Sequence, residues 1–399
     1  MSREIGCYSA MANRVRMTGN HVIIMPAKQT ILFVHGVTEI GGAERELLLY
    51  VERLPGMGYR PVVVCPAQGA LVSRLENAEV RVCEAPFPPW RKVSSVLYRT
   101  AAVRTLRTVI EREQPALIHV NDMWWVPQTL RAASGLGLPI VAHVRQEIES
   151  PKVSRYELAQ ADLVMAISHQ VRKSLVAGGV PSERVVTLYG GLDLSNLPVC
   201  IEGKDLRRRL EISDDTLVLG TVANLFPRKG YEVMLRALSV IRSSCPKTEY
   251  LIVGTGDSTF ERRLRRTVRE QGLERVVHFL GFQEAVYPCL AAMDLYVHPA
   301  LMEGFGIAVL EAMALHKPVV ATRTGGVPEI VLEDQTGVLV DPGDADSLAH
   351  AVLKVLNNPK WRAEMGEAGR ARVEAAFTVS SMMEGLVSAY DRQLSRMAS

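Results

Sequence analysis

The sequence lacks long apolar runs and has no excess of charge of one sign. No stretch approaches the ~18 apolar residues of a transmembrane helix, so no membrane span is predicted. The first 20 residues, MSREIGCYSAMANRVRMTGN, have neither a continuous apolar stretch nor a small-residue cleavage site, which argues against a secretory signal peptide. The formal net charge of +3 gives no reason to expect nucleic-acid binding.

Paired cysteines are also lacking. The six cysteines are scattered, and none forms a C-x-x-C pair or a metal-ligand spacing. Idle thiols are typical of a reducing compartment. We therefore expect a cytoplasmic protein, in contact at most with the inner face of a membrane.

Short apolar runs alternate with helical patterns in two series, which begin at TILFVHG (30–36) and TLVLGTVAN (216–224). The runs are rich in Val, Ile and Leu without polar alternation, as in strands buried on both faces of a parallel sheet. We predict an α/β protein with two doubly wound, Rossmann-like domains that face a central cleft. The predicted parts are a loose N-terminal leader over 1–28 that shows no clear periodicity, an acceptor-binding domain over 29–196, a nucleotide-sugar-binding domain over 197–375, and a C-terminal helix over 376–399 that crosses back to the first domain.

Two glutamates flank a glycine-rich turn after one of the predicted strands. Glu303 precedes Gly304-Phe305-Gly306 and a helix that contains Glu311. Ligands of open α/β sheets bind beyond the carboxyl ends of strands, and helix N-termini attract anions. The pattern suits a ligand with a phosphate and several hydroxyls. An acidic first turn followed by a solvated helix glutamate explains the same residues equally well.

The segment EGFGIAVLE (303–311) resembles the E-x7-E motif of retaining glycosyltransferases of family 4, which have the GT-B fold. The resemblance extends through residues 312–344 and, in the order of elements, over nearly all of the chain from residue 30. It implies that Glu303 binds hydroxyls of the donor sugar and Glu311 the ribose. It also implies that the backbone of Gly304, Phe305 and Gly306 approaches the sugar and phosphate.

A lysine follows the first strand of the second series, in VANLFPRKGYEVMLRAL (222–238). A compact ammonium group such as that of Lys229 suits a departing phosphate. The resemblance implies this role, although Asn224 stands where the family often has arginine. Arg228 is the candidate replacement. The alternative is a basic surface turn.

Other donor-binding candidates are weaker patterns. Gly41 and Gly42 open a helix after the first strand and resemble the family's glycine-rich loop near the donor phosphates. Gly254 lies in a G-x-G turn, and Phe282 follows the stretch FLG, which resembles the family's base-contacting segment. Single glycines of this kind have low specificity.

One histidine resembles a cleft histidine of the family. His143 stands at the predicted end of the strand PIVAHV, whereas a lone histidine at such a place is more often structural. His119 is a second candidate. Gly190 occupies the place of an asparagine in the family's hinge segment, so any role of that side chain is lost.

We predict neither a metal nor another cofactor, and a UDP-sugar or GDP-sugar as the donor. The Asp-x-Asp pattern in GDADS (343–347) could bind a metal–nucleotide, but its place before SLAHAVLKVL predicts a helix cap.

The segment 91–113 is helical in pattern and carries six cations. Many relatives of the family act on lipid-linked acceptors, so this segment is a candidate for contact with an anionic membrane. The alternative is a solvated helix whose apolar residues, among them Val96, Leu97, Leu106 and Ile110, pack on the sheet.

Together these features predict a retaining hexosyltransferase, with Glu303, Lys229 and His143 as catalytic residues. The expected acceptor is a saccharide or a lipid-linked molecule, in cell-surface polysaccharide or glycolipid synthesis. The alternatives are a GT-B-like sugar-nucleotide epimerase and a binding protein without catalysis.

Overall fold

The computed structural model describes residues 14–18, 21–25, 28–90, 96–197 and 203–398. Its strands are mostly four to seven residues long, and those of the two predicted series are largely buried. The strands are β1 (Arg14–Thr18), β2 (His21–Met25), β3 (Gln29–Val34), β4 (Tyr59–Cys65), β5 (Arg81–Glu84), β6 (Leu117–Val120), β7 (Ile140–Val144), β8 (Leu163–Ala166), β9 (Val185–Thr187), β10 (Leu217–Val222), β11 (Thr248–Val253), β12 (Val277–Gly281), β13 (Leu295–His298), β14 (Val319–Thr322) and β15 (Gly337–Val340).

Helices connect most of the strands, as expected for parallel pairing. The α-helices are α1 (Gly42–Arg53), α2 (Ala70–Asn77), α3 (Val96–Glu113), α4 (Val126–Ala132), α5 (Ser150–Arg155), α6 (His169–Ala177), α7 (Lys204–Arg209), α8 (Tyr231–Ser244), α9 (Ser258–Glu270), α10 (Tyr287–Ala291), α11 (Ile307–Ala314), α12 (Val327–Ile330), α13 (Ala345–Leu356), α14 (Pro359–Ala376) and α15 (Val379–Ala398). None of these described helices is both long and apolar enough to cross a bilayer.

The chain divides into two compact units, one of residues up to Asn121 with Pro127–Ile140 and the other of Asp122–Val126 with Val141–Met397. In the first unit, parallel strands follow the order β5-β4-β3-β6, and β1 pairs with β2 in an antiparallel ribbon. In the second unit, the parallel orders are β7-β8-β9 and β12-β11-β10-β13-β14-β15. The predicted parallel α/β architecture is confirmed.

The order of strands reverses once in each unit. The chain runs outward from β3 to β5 and from β10 to β12, and then returns to the other side of β3 with β6 and of β10 with β13. Such a reversal leaves a crevice at the carboxyl ends of the two strands, where open α/β sheets bind their ligands. The β10/β13 pair therefore marks the place for a site in the second unit.

The core of the second unit packs α8, α9 and α13 against β10 and β11. Leu219 and Tyr250 of the strands and Leu235, Leu238 and Val352 of the helices are fully buried. Side chains packed in this way fix the strand ends, and with them the turns that follow.

Two expectations about secondary structure were incomplete. The edge strand β5 has only four residues and an exposed Arg81 and Glu84, so it lacks the apolar run that marked the other strands. The predicted helix over 91–113 begins at Val96 in the described residues, and positions 91–95 lie outside them.

Candidate active site

Lys229 and Glu303 follow the two strands at which the sheet order of the second unit reverses. Lys229 ends a single 3₁₀ turn, Pro227–Lys229, after β10, and Glu303 lies in the turn after β13. Because β10 and β13 are neighbours, their carboxyl ends bring the two turns together. The ammonium nitrogen of Lys229 lies 2.7 Å from Oε2 of Glu303.

Backbone contacts fix these two turns on each other. The amides of Leu301 and Met302 donate to the carbonyl of Arg228, at 2.8 and 3.2 Å. Gly230 has a φ of +72°, and a Cβ there would lie 1.8 Å from the carbonyl oxygen of Pro299. The turn after β10 therefore requires glycine at this position.

Three donors satisfy the carboxylate of Glu303. Oε2 accepts from Lys229 Nζ and, at 3.0 Å, from His298 Nε2, while Oε1 accepts from the amide of Gly304 at 2.9 Å. Burial alone would raise the pKa of Glu303, but the hydrogen bond from His298 and the charge of Lys229 outweigh it. The pKa therefore lies well below its ordinary value, and the group is a carboxylate at neutral pH.

Sequence reasoning missed His298. Its side chain is 2% exposed at the last residue of β13, and its Nδ1 lies 3.4 Å from the hydroxyl of Tyr296. Its place at a strand end next to Glu303 was the available signal. Only the packing shows that its ring turns toward the carboxylate.

The glycine-rich turn packs closely on other backbone. A Cβ on Gly304 would lie 1.9 Å from the carbonyl oxygen of Arg145, just after β7, and Gly306 has a φ of +109° as it opens α11. The Phe305 ring is buried and stacks on Tyr189, with centroids 5.4 Å apart. This packing leaves the backbone of the turn, rather than the Phe305 ring, to meet a ligand.

Glu311 lies in α11 and is 9% exposed. The alternative of a solvated helix glutamate is therefore wrong. Burial raises the pKa of Tyr296, and the charges of Glu311 and Glu303 raise it further. Both carboxylates of the motif are thus within electrostatic reach of one buried phenol.

The remaining donor-binding candidates of the second unit line neighbouring strand ends. Gly254 follows β11 with a φ of +135°, and a Cβ there would lie 2.2 Å from the carbonyl oxygen of Ala223. Phe282 follows β12 and is 62% exposed. Arg228 is exposed beside Lys229. These positions are compatible with the predicted roles, which stay predictions.

Gly41 and Gly42 belong to the first unit, after β3. Glu44 holds this turn: its Oε2 accepts from the amide of Gly41, and its Oε1 accepts from Nε2 of the buried His35, both at 2.8 Å. Burial opposes ionisation of Glu44, but the hydrogen bond and charge of His35 prevail and lower its pKa. Asn121, which follows β6, lies 3.2 Å from Nδ1 of His35, so the network joins the two strands at the reversal of this unit.

His143 lies inside β7, which continues to Val144, and its side chain is fully buried. Burial, and then the charge of Arg145, lower the pKa of His143, so its imidazole is neutral. The alternative His119 is buried within β6, with its ring 5.0 Å from that of Phe33. A catalytic role of His143 stays a prediction.

The Asp-x-Asp pattern forms a helix cap. The side chain of Asp344 accepts from the amide of Ser347 at the start of α13, which confirms the predicted cap. In the described residues, no three His, Cys, Asp or Glu side chains lie together as a metal site. Independence from metal stays a prediction.

Comparison with known proteins identifies the family. The model described as "Glycosyl transferases group 1" matches residues 202–372, and "Glycosyltransferase Family 4" matches 40–196. A D-inositol 3-phosphate glycosyltransferase of Corynebacterium jeikeium is 30% identical over 292 residues, which are 68% of each chain.

A second relative and a solved structure are also similar to the chain. A GDP-mannose-dependent monoacylated alpha-(1-6)-phosphatidylinositol monomannoside mannosyltransferase of Corynebacterium glutamicum is 36% identical over 50% of this chain, which spans only 54% of that relative. The crystal structure of HepE from Anabaena, solved with UDP and glucose, superposes with a TM-score of 0.80 at 24% identity, over 91% of this chain and 99% of that one. The chain belongs to glycosyltransferase family 4 and has the GT-B fold.

Proposed function

We propose that the protein is a retaining glycosyltransferase that moves a hexosyl unit from a nucleotide-diphosphate sugar to an acceptor. The observation that carries this proposal is the meeting of Lys229, Glu303 and the amino end of α11 at the β10/β13 crevice. An ammonium group and the amides at a helix N-terminus suit a diphosphate, while a carboxylate beside them suits sugar hydroxyls.

In this reaction each group acts on a different part of the donor. Glu303 holds hydroxyls of the sugar ring, and Lys229 with the amides near Gly306 stabilises the charge that develops on the leaving diphosphate. The acceptor attacks from the same face as the leaving group, whose phosphate oxygen takes the acceptor proton. Glu303 is fully ionised and already hydrogen-bonded, so it serves to position the sugar and not as a general acid.

The relatives suggest the substrates to test first. Two of them are named GDP-mannose-dependent mannosyltransferases of phosphatidylinositol monomannoside, while HepE was solved with UDP-glucose. We propose a GDP-sugar or UDP-sugar as donor, no metal, and a saccharide or lipid-linked acceptor.

Purified protein should gain thermal stability from the correct donor. A ligand at ~100 times its dissociation constant stabilises by ~2.7 kcal/mol, so GDP-mannose, GDP, UDP-glucose and UDP can be ranked by melting temperature. Transfer is then measured with lipid and saccharide acceptors. Release of free nucleotide from the donor with no acceptor present, at the rate seen with acceptor, would favour the epimerase instead.

We further propose that α3 contacts an anionic membrane, mainly through exposed apolar side chains and less through its cations. Leu97 and Tyr98 are 88% and 69% exposed at the start of α3, so the alternative that Leu97 packs on the sheet is wrong, although Leu106 and Ile110 are buried as it required.

Most of the arginine side chains of α3 already contact a glutamate or an aromatic ring of the protein. Arg107 pairs with Glu111, Arg112 donates to Glu113, and Arg99 lies over the Trp90 ring, while Arg104 makes no ion pair within the part of the chain that the structure describes. The exposed apolar tip therefore contributes more to the proposed contact than the basic face does.

Flotation with vesicles of phosphatidylglycerol and phosphatidylcholine tests this contact. Leu97→Ser with Tyr98→Ser should reduce binding, whereas Val240→Ser, an exposed apolar residue on α8, should not. Equal flotation of both variants and the wild type would exclude α3 as the contact.

A further inference from the structure

His298 is more constrained than the other side chain that holds Glu303. Its imidazole ends a buried strand and is 2% exposed, with Nε2 on the Glu303 carboxylate and Nδ1 facing the Tyr296 hydroxyl. The ring of Tyr296 stacks on it at 6.2 Å, and the Tyr296 hydroxyl also lies 3.3 Å from the carbonyl of Val222. Packing and hydrogen bonds thus fix the ring on both edges.

Lys229 cannot fix the direction of Glu303 in the same way. Its charge sits on a flexible four-carbon stem with three rotatable donors. Such a group attracts the Glu303 carboxylate but does not fix its direction. If the donor diphosphate engages Lys229, this ammonium is shared with or drawn to the phosphates. Of the side chains that the structure describes at Oε2 of Glu303, His298 then keeps its hydrogen bond.

We propose that His298 is a positioning residue that sets the Glu303 carboxylate for the donor sugar, while Lys229 provides charge for the diphosphate. This inference rests on the proposed transferase function. The two side chains that donate to Oε2 of Glu303 then have different roles. The N–H group of His298 orients the carboxylate, and Lys229 supplies positive charge. A carboxylate held by two donors of such different stiffness has its direction set by the stiffer one.

The test uses His298→Met and His298→Gln in the full chain. The two side chains have similar length and volume, but only glutamine retains an N–H donor near the place of Nε2. Methionine adapts to irregular packing, so a fold defect from shape alone should be small. Each variant is measured for transfer from GDP-mannose and UDP-glucose and for affinity toward GDP and UDP, which lack the sugar.

We expect His298→Met to lower kcat/KM for transfer roughly 10- to 100-fold, the usual effect of losing a hydrogen bond to a charged group. Affinity for the sugar-free nucleotide should change less than about twofold, because Lys229 and the helix amides are untouched. His298→Gln should recover most of the transfer rate. Equal loss of nucleotide affinity and transfer, or no rescue by glutamine, would show a merely structural role and overturn the inference.

A second measurement does not depend on the folding of a variant. Nitrogen-15 NMR of histidine-labelled wild-type protein should show His298 protonated at Nε2, since that nitrogen must donate to the Glu303 carboxylate. A tautomer protonated only at Nδ1 would overturn the inference even if transfer is normal. A wild-type protein that binds no nucleotide sugar would instead overturn the proposed function, and this inference with it.

Discussion

Lys229 and Glu303, 74 residues apart in sequence, form an ion pair in which each side chain is only 12% exposed. The pair joins the residue expected to hold phosphate to the residue expected to hold sugar. A donor must therefore compete with an existing contact when it binds. The ammonium group of Lys229 gives the largely buried carboxylate of Glu303 a partner of opposite charge, which offsets the cost of burying it.

Lys229→Met should abolish most transfer. Loss of one preorganised donor to a developing charge costs about 10²–10³ in kcat, and affinity for the sugar-free nucleotide should fall as well. Steady-state transfer and isothermal titration with GDP or UDP measure the two effects. Lys247→Met is the matched control, because Lys247 is 70% exposed in a surface pair with Asp215. Transfer by Lys229→Met at the wild-type rate would contradict the assignment of the phosphate contact.

Glu303→Gln should separate sugar recognition from nucleotide binding. The amide keeps the shape of the side chain but loses the charge that attracts Lys229 and sugar hydroxyls. We expect transfer to fall about 10²-fold, with nucleotide affinity unchanged or higher because Lys229 is freed for phosphate. Glu367→Gln, at a glutamate that is 74% exposed and pairs with His316, serves as control. A parallel fall in nucleotide affinity would speak against this division of roles.

Gly304→Ala should disturb the donor turn through its backbone contact. The added Cβ would lie 1.9 Å from the Arg145 carbonyl oxygen, so the turn or the segment after β7 must shift. We expect a loss of about 1–3 kcal/mol in unfolding free energy and a larger proportional loss of transfer. Gly56→Ala, where no atom lies within 4 Å of the new Cβ, should stay within about 0.5 kcal/mol of the wild type. Urea denaturation of both variants decides the matter.

Because the carboxylate of Glu113 is buried and ion-paired, the stability of the protein should fall when this group is protonated at acid pH. Hydrogen bonds from Arg81, together with those from Arg112, lower the pKa of Glu113 from its ordinary value of 4.5 to about 2, against the opposing effect of burial. A carboxylate with a depressed folded-state pKa stabilises the protein fully above the unfolded pKa and loses this effect as pH falls through the folded one.

Glu113→Gln should therefore lower the free energy of unfolding at neutral pH by about 2 kcal/mol, which is measured as a lower melting temperature. The difference from wild type should narrow as pH falls from about 4.5 toward 2, because protonation removes the same charge in the wild type. Glu111→Gln, whose carboxylate is 53% exposed, is the control and should show little change at any pH. If the stability difference between the wild type and Glu113→Gln stayed constant down to pH 2, the lowered pKa of Glu113 would be contradicted.

Much of the fold could be predicted because its strands are buried on both faces. Continuous apolar runs at 217–222 and 295–298 are visible in the sequence, and the turns after them place Lys229 and Glu303 at the same sheet edge. The edge strand β5 escaped prediction because a four-residue strand with exposed ends has no such run.

The contacts within the site could not be predicted, since they depend on register and side-chain direction. The sequence indicated separate ligands for Lys229 and Glu303, but not the ion pair between them. His298 sits in a strand whose pattern assigns it to the core, and only the packing turns its Nε2 to Glu303. Leu97 shows the reverse case: an apolar residue in a helical pattern that lies almost fully exposed.

The close approach of Gly304 to the Arg145 backbone bears on how such enzymes can be recombined. A chimaera joined near residue 200 would combine the EGFG turn of one parent with the post-β7 segment of another. A Cβ added at Gly304 has no room beside the Arg145 carbonyl oxygen. A mismatch there would displace the turn that carries Glu303 even if every residue of EGFG were retained. A chimaera of two relatives should therefore take residues 145–146 from the parent that supplies the EGFG turn.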